Sequence, residues 1–103
     1  MSFRNTFITD FIYQASDGLR GANEGVRLIF EKYARHLSHK VDERGYGYYA
    51  GTFSTLDGSI HDMWLPEIVR ELEEATLVPF RLTILVESGP QITYDLLPTK
   101  LKK

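Results

Sequence analysis

The chain has 103 residues, 43% of them hydrophobic and 25% charged, with a formal net charge of −2 and no cysteine. One domain fits this length, disorder does not fit this composition, and disulfides, thiolate catalysis and thiolate metal sites are excluded. No field of one sign is present to draw in nucleic acid, so nucleic acid is not an expected partner. The opening residues show no basic segment followed by a long apolar run, and no apolar stretch approaches a membrane span. A cytoplasmic domain without membrane contact is the expectation.

Residues 6–17 place Phe7, Ile8, Phe11, Ile12 and Ala15 on one side of a 3.6-residue wheel, with Thr9, Asp10, Gln14 and Asp17 on the other. That pattern predicts a helix, with Asn5 or Thr6 as its N-cap. Gly18 and Gly21 break it. A second helix is predicted from Ala22 or Asn23 to about Asp42, with Val26, Ile29, Phe30, Tyr33, Leu37 and Val41 on its apolar face. Arg35, His36, His39 and Lys40 form the cationic end that a helix C-terminus favours. Residues 6–43 also read as one bent helix whose glycines, Gly18, Gly21 and Gly25, let another backbone come close.

Residues 46–55 are rich in aromatic and β-branched types and predict a strand. Asp57-Gly58 is a hairpin signal, and residues 59–65 are the predicted return strand. Pro66 opens a predicted helix over 66–76, which buries Ile68, Val69, Leu72 and Ala75 and shows Glu67, Arg70, Glu71, Glu73 and Glu74 to water. An alternative starts that helix at Ser59 and kinks it at Pro66. Residues 80–87 alternate as a strand, Ser88-Gly89-Pro90 turns the chain, and Ile92, Tyr94 and Leu96 mark a last strand ended by Pro98.

These elements predict a single α+β domain over residues 1–98, followed by a basic, frayed tail over 99–103. The expected architecture is an N-terminal helical pair (or one bent long helix), then β-hairpin, helix and β-hairpin, forming a small antiparallel sheet with helices on one face.

No motif dictates a chemistry. The Gly18-Gly21-Gly25 run lacks the Gly-Lys-Ser/Thr of a phosphate loop, so a close-packed turn is the better reading. His36 and His39 stand one helical turn apart in the predicted helix, and His61 with Asp62 would complete a metal site for a hydrolase. Yet the neighbouring glutamate of a metalloprotease helix is missing, and no cofactor or metal is the expectation.

The aromatics Tyr46, Tyr48, Tyr49 and Trp64 crowd into one predicted hairpin, and tyrosine and tryptophan suit interfaces. With Glu67 and Glu71 on the following helix, they are the candidate surface for another protein. Tyr46 and Tyr48 are predicted on one strand face, Tyr49 and Phe53 on the other.

The long N-terminal apolar face exceeds what a four-stranded sheet covers. Phe7, Phe11, Leu19, Ala22 and Val26 are therefore the predicted seam of a homo-oligomer, a twofold dimer being the commonest solution. The resulting functional expectation is a non-enzymatic inhibitor, adaptor or immunity-type protein. The alternatives are a binder of nucleotides or other anionic ring compounds, with Arg20, Arg27 or Arg44 meeting the charge, and the metal-assisted hydrolase.

Overall fold

The computed structural model describes residues 7–55, 58–87, 89 and 91–101. The elements run β1 (Phe7–Ala15), α1 (Gly18–Gly21), α2 (Glu24–Tyr33), β2 (Ala34–Val41), β3 (Gly47–Phe53), β4 (Ile60–His61), α3 (Leu65–Ala75), β5 (Phe80–Val86) and β6 (Ile92–Leu96), with 3₁₀ turns at Asp62–Trp64 and Thr99–Leu101. The strands form one six-stranded antiparallel sheet in the order β2-β3-β1-β5-β6, with the short β4 pairing the start of β1.

The order explains the layers. β1 and β2 are parallel with β3 slotted between them, and β3 and β5 are parallel with β1 between them. Two split β-α-β crossovers thus interlock, carrying their helices over the sheet. The core lies in the single layer between. Phe11 and Tyr13 of β1, Tyr49 and Phe53 of β3 and Leu82 and Ile84 of β5 meet Val26 and Phe30 of α2 and Ile68 and Leu72 of α3, all buried. Phe30 stacks on Phe11 at 4.4 Å between ring centroids and meets Tyr13 edge-on at 5.4 Å. Among the described residues no helix covers the sheet's other face.

The α+β class and the antiparallel sheet with helices on one face match the sequence expectation, and 65–75, 80–86 and 92–96 form as predicted. The N-terminal third does not. Residues 7–15 are a strand, not a helix. A register shift between Ile8 and Asp10 breaks the alternation. The buried residues Ile8, Phe11 and Ala15 therefore fall at three- and four-residue steps and imitate a helical stripe. The β-branched and aromatic content of the segment was the truer signal. The proposed caps Asn5 and Thr6 lie outside the described residues.

Of the expected helical pair only the second member forms, and only in part: the predicted break at Gly18 and Gly21 is itself the short helix α1, and α2 covers Glu24–Tyr33. α1 is capped by Asp17, which accepts from the Leu19 and Arg20 N–H groups, and α2 by Asn23, which accepts from Val26 N–H. α2 then stops at Tyr33. Residues 34–41, read as its cationic end, form an exposed edge strand on β3. Few of its side chains are buried, so no two-residue period marks it, and what decides it is the row of free backbone groups on β3.

Residues 59–65 are also not the expected return strand. Only Ile60 and His61 pair, and they pair with β1. Thr55 and Gly58 form an isolated antiparallel bridge, while Leu56 and Asp57 of the expected hairpin turn lie outside the described residues, as do Ser88 and Pro90. Residues 99–101 form a 3₁₀ turn rather than a frayed end. Lys102 and Lys103 lie outside the described residues.

The glycines act by close approach. A Cβ on Gly47 would stand 2.7 Å from the Ala22 Cβ and 2.8 Å from the Gly18 Cα, so α1 rests directly on the β3 backbone. The Gly18 N–H donates to the Gly45 carbonyl at 2.6 Å across the same contact.

Candidate functional site

The predicted surface residues separate into three places. Tyr49 is core: 2% exposed, packed on Tyr13 and Phe30, with its hydroxyl donating to the Ala22 carbonyl at 3.3 Å. Tyr46 and Tyr48 lie at the β2–β3 hairpin. Trp64, Glu67 and Glu71 come together at a cleft between the C-terminal end of α2 and the N-terminal end of α3.

That cleft consists of two adjoining hollows of about 530 and 280 Å³ that share Lys32, Tyr33 and Trp64. Its construction is local. Pro66 sits in the first turn of α3, and the 3₁₀ turn before it lifts Met63 and Trp64 out of the fold. Met63 is 74% exposed and Trp64 51%. Beneath them, the Tyr33 hydroxyl donates to one Glu71 carboxylate oxygen while the Lys32 ammonium pairs with the other. Lys32 also lies 5.1 Å from the centre of the Tyr33 ring.

Charge is fixed by this trio. Burial pushes the Tyr33 phenol up to about 12, helped by its hydrogen bond to Glu71. Burial also raises the Glu71 carboxyl, but the hydrogen bonds from Lys32 and Tyr33 and the Lys32 charge outweigh it and leave it below its ordinary value. Glu71 is therefore held half-buried, not shown freely to water as predicted, and Glu73 is buried as well. Glu67 pairs with Arg70 on the exposed side of α3. Tyr33 and Met63 escape the sequence reading, which places Tyr33 on the apolar face of a longer helix and gives Met63 no role.

A second hollow, about 650 Å³, runs along the end of the sheet between Arg44 and Tyr46 on one side and Arg81 and Asp95 on the other, with Gln14 on its floor. The Arg44 guanidinium lies 4.8 Å from the Tyr46 ring centre. Asp42 organises the hairpin, accepting from Arg44 N–H, Tyr46 N–H and the Tyr48 hydroxyl at 2.9, 3.0 and 2.9 Å. Burial raises the Asp42 carboxyl, but these three donors and the Arg44 charge more than offset it. Arg20 and Arg27 do not join Arg44 here. Arg27 pairs with Glu24 and Glu31 on α2, and Arg20 lies in α1.

The expected oligomer seam dissolves. Phe11, Ala22 and Val26 are enclosed within the single chain, and Phe7 packs on the His61 ring at 4.6 Å. Only Leu19, 88% exposed, remains outside. The histidines do not converge either. His39 stacks on Tyr49 at 4.7 Å, His61 lies against Phe7, and His36 sits in the β2 irregularity. Among the described residues no three His, Asp or Glu side chains gather as metal ligands. Among the same residues no helix is long and apolar enough to cross a membrane.

Compared with protein-family models, curated proteins and solved structures, the chain matches none.

Proposed function

We propose that the protein is a non-enzymatic binding module that grips another protein through the Trp64 cleft. The observation that carries this reading is the raised Met63–Trp64 pair beside a hollow floored by the fixed Tyr33–Glu71–Lys32 trio. A large, stiff aromatic held half out of water over a preorganised polar floor is the usual form of an interface anchor. The trio needs no reordering when water leaves, which lowers the cost of association. The complementary partner presents an apolar side chain to the cleft and a cation toward Glu67. Inhibitor, adaptor and immunity-type roles, and a cytoplasmic setting, are consistent with such a module.

Selection of a displayed random-peptide library tests the reading. Peptides retained by the wild type and lost by Trp64→Ala at unchanged melting temperature support it. Trp64 is the sole tryptophan, so its emission shifts to the blue as a bound peptide covers it. No enriched peptide, or peptides that bind Trp64→Ala equally well, overturns it.

A second reading, a site for a small anionic ring compound, is favoured by one arrangement. The hairpin brings Arg44 over Tyr46 at the mouth of a hollow that Arg81 also lines. Stacking and a guanidinium fork would then share one ligand. Native mass spectrometry of freshly purified protein checks this, because a retained ligand adds a discrete mass that Arg44→Ala removes. The metal-assisted hydrolase has no comparable arrangement behind it.

A further inference from the structure

The sheet face turned away from the helices is an ordered grid, and its register can be read across all five main strands. One row runs Lys40, Tyr48, Gln14, Arg81, Asp95. The next, through the middle of the sheet, runs Ser38, Ala50, Ile12, Thr83, Thr93. A third holds Arg35, Thr52, Asp10 and Leu85. Contacts within the grid confirm the shared face: Lys40 lies 5.6 Å from the Tyr48 ring centre, Gln14 donates to the Tyr48 hydroxyl at 3.4 Å, and Arg81 pairs with Asp95 at 2.7 Å. The middle row holds no charge. Ile12 at its centre is 52% exposed, and Leu85 in the next row is 43% exposed.

We infer that this face binds a second copy of the chain, sheet against sheet, about a twofold axis that runs along β1. The charges select both the partner and the axis. β1 is the middle strand, so such an axis lays β3 over β5 and β2 over β6. Each row then meets itself reversed. Lys40 falls on Asp95, Tyr48 on Arg81, Gln14 on Gln14, Ser38 on Thr93 and Ile12 on Ile12. The cationic edge of one copy covers the anionic edge of the other, with an ammonium–carboxylate pair and a guanidinium–aromatic pair at each side of an apolar centre. An axis across the strands would instead bring the Lys40 row onto the Arg35 row and oppose two cations.

The dimensions fit. Strands about 4.8 Å apart and about seven residues long at about 3.3 Å per residue give five strands a footprint of roughly 24 by 23 Å. Corrugated by side chains, that area approaches the roughly 800 Å² per partner of a standard interface. Sheets packed in this way keep their strands within about 30° of one another. The one like-charge pair created is Asp10 on Asp10, in an end row, where Thr52 already donates to Asp10 at 3.1 Å. This surface shares no residue with the Trp64 cleft, and the inference stands or falls apart from the reading given to that cleft.

Sedimentation across a concentration series is the first measurement, with a reversible monomer–dimer equilibrium expected. Ile12→Asp, at an exposed position, raises the dissociation constant by about a hundredfold, while Asp10→Asn lowers it severalfold. Trp64→Ala leaves it unchanged. The chain lacks cysteine, so crosslinking fixes the geometry without side reactions. Facing sheets stand about 10 Å apart, beyond a direct disulfide, so a short bismaleimide links Ser38→Cys to Thr93→Cys in the mixture and Ile12→Cys to itself, and does not link Ser38→Cys alone. A monomer at every concentration, a dimer indifferent to Ile12→Asp, or Ser38→Cys linking to itself in preference to Thr93→Cys overturns the inference. The crosslinking mixture decides the matter even if Ile12→Asp fails to fold.

Discussion

The Tyr13 and Thr76 hydroxyls meet 3.0 Å apart in the core, with the Tyr13 side chain wholly enclosed. Tyr13 also donates to the Gly21 carbonyl, which leaves the Thr76 hydroxyl to donate to Tyr13. One side chain thus ties β1 to α1 and to the end of α3. Burial raises the Tyr13 phenol far above its ordinary value. Tyr13→Phe leaves the Gly21 carbonyl and Thr76 Oγ1 without these bonds and costs about 1–3 kcal/mol in urea unfolding. Tyr13→Phe with Thr76→Val costs less than the sum of the two single changes, because the Thr76 hydroxyl that Tyr13→Phe strands is then gone as well.

Gly21 faces Ala15 so closely that a Cβ built on it overlaps the Ala15 Cβ, with Val78 Cγ2 a further 3.1 Å neighbour. Gly21→Ala is expected to destabilise by about 1–3 kcal/mol through overpacking. Ala15→Gly in the same chain recovers part of that loss. Equal losses in the presence and absence of Ala15→Gly would assign the effect to some other contact.

The Tyr33–Glu71–Lys32 trio gives stability a pH dependence at both ends. Glu71 titrates lower in the folded state, so its contribution is present above the ordinary carboxylate range and is lost as pH falls through its depressed folded value. Tyr33 is raised from 10.0 to about 12, so its contribution holds below pH 10 and is lost as pH climbs from there toward 12. Melting temperature against pH is the measurement. Glu71→Gln flattens the acid limb. Tyr33→Phe flattens part of the alkaline limb, and Tyr13, raised in the same direction, retains the rest.

His36 takes a positive φ of 56° inside the β2 irregularity between Arg35 and Ser38. A β-branched side chain is strained in that conformation, while asparagine and glycine tolerate it. His36→Val is expected to cost about 1–2 kcal/mol and His36→Gly to be neutral or stabilising. Equal effects of the two would place the cost in the imidazole rather than the backbone.

The α3–β5–β6 half of the fold was legible because its signals agree. Pro66 starts a helix, Ile68 and Leu72 keep its period, and Leu82 and Ile84 alternate without interruption. The first half was misread where one irregularity disguised the period. The shift after Ile8 made a strand look helical, and the exposed strand from Ala34 shows no period at all, since its place is set by β3. The predicted seam sets Phe11 and Val26 on one ridge for the same reason, whereas Phe11 stands on β1 and Val26 on α2 and both are enclosed in the core. At the cleft, Trp64, Glu67 and Glu71 were legible as a group because α3 was. Tyr33 was not, because only the fold brings it 38 residues along the chain to Glu71.

The strand that occupies the middle of the sheet is made first. As the chain leaves the ribosome, β1 has no neighbour until β3 follows it, and its other flank stays open until β5 emerges some seventy residues later. Synthesis at about 5–20 residues per second makes that a wait of several seconds. Throughout it, Phe11, Tyr13 and their neighbours form an oily, half-paired ribbon that invites chaperones or neighbouring nascent chains. Slow, aggregation-sensitive maturation is therefore built into the order of the strands, and a circular permutant that delivers β1 after β3 is expected to escape it.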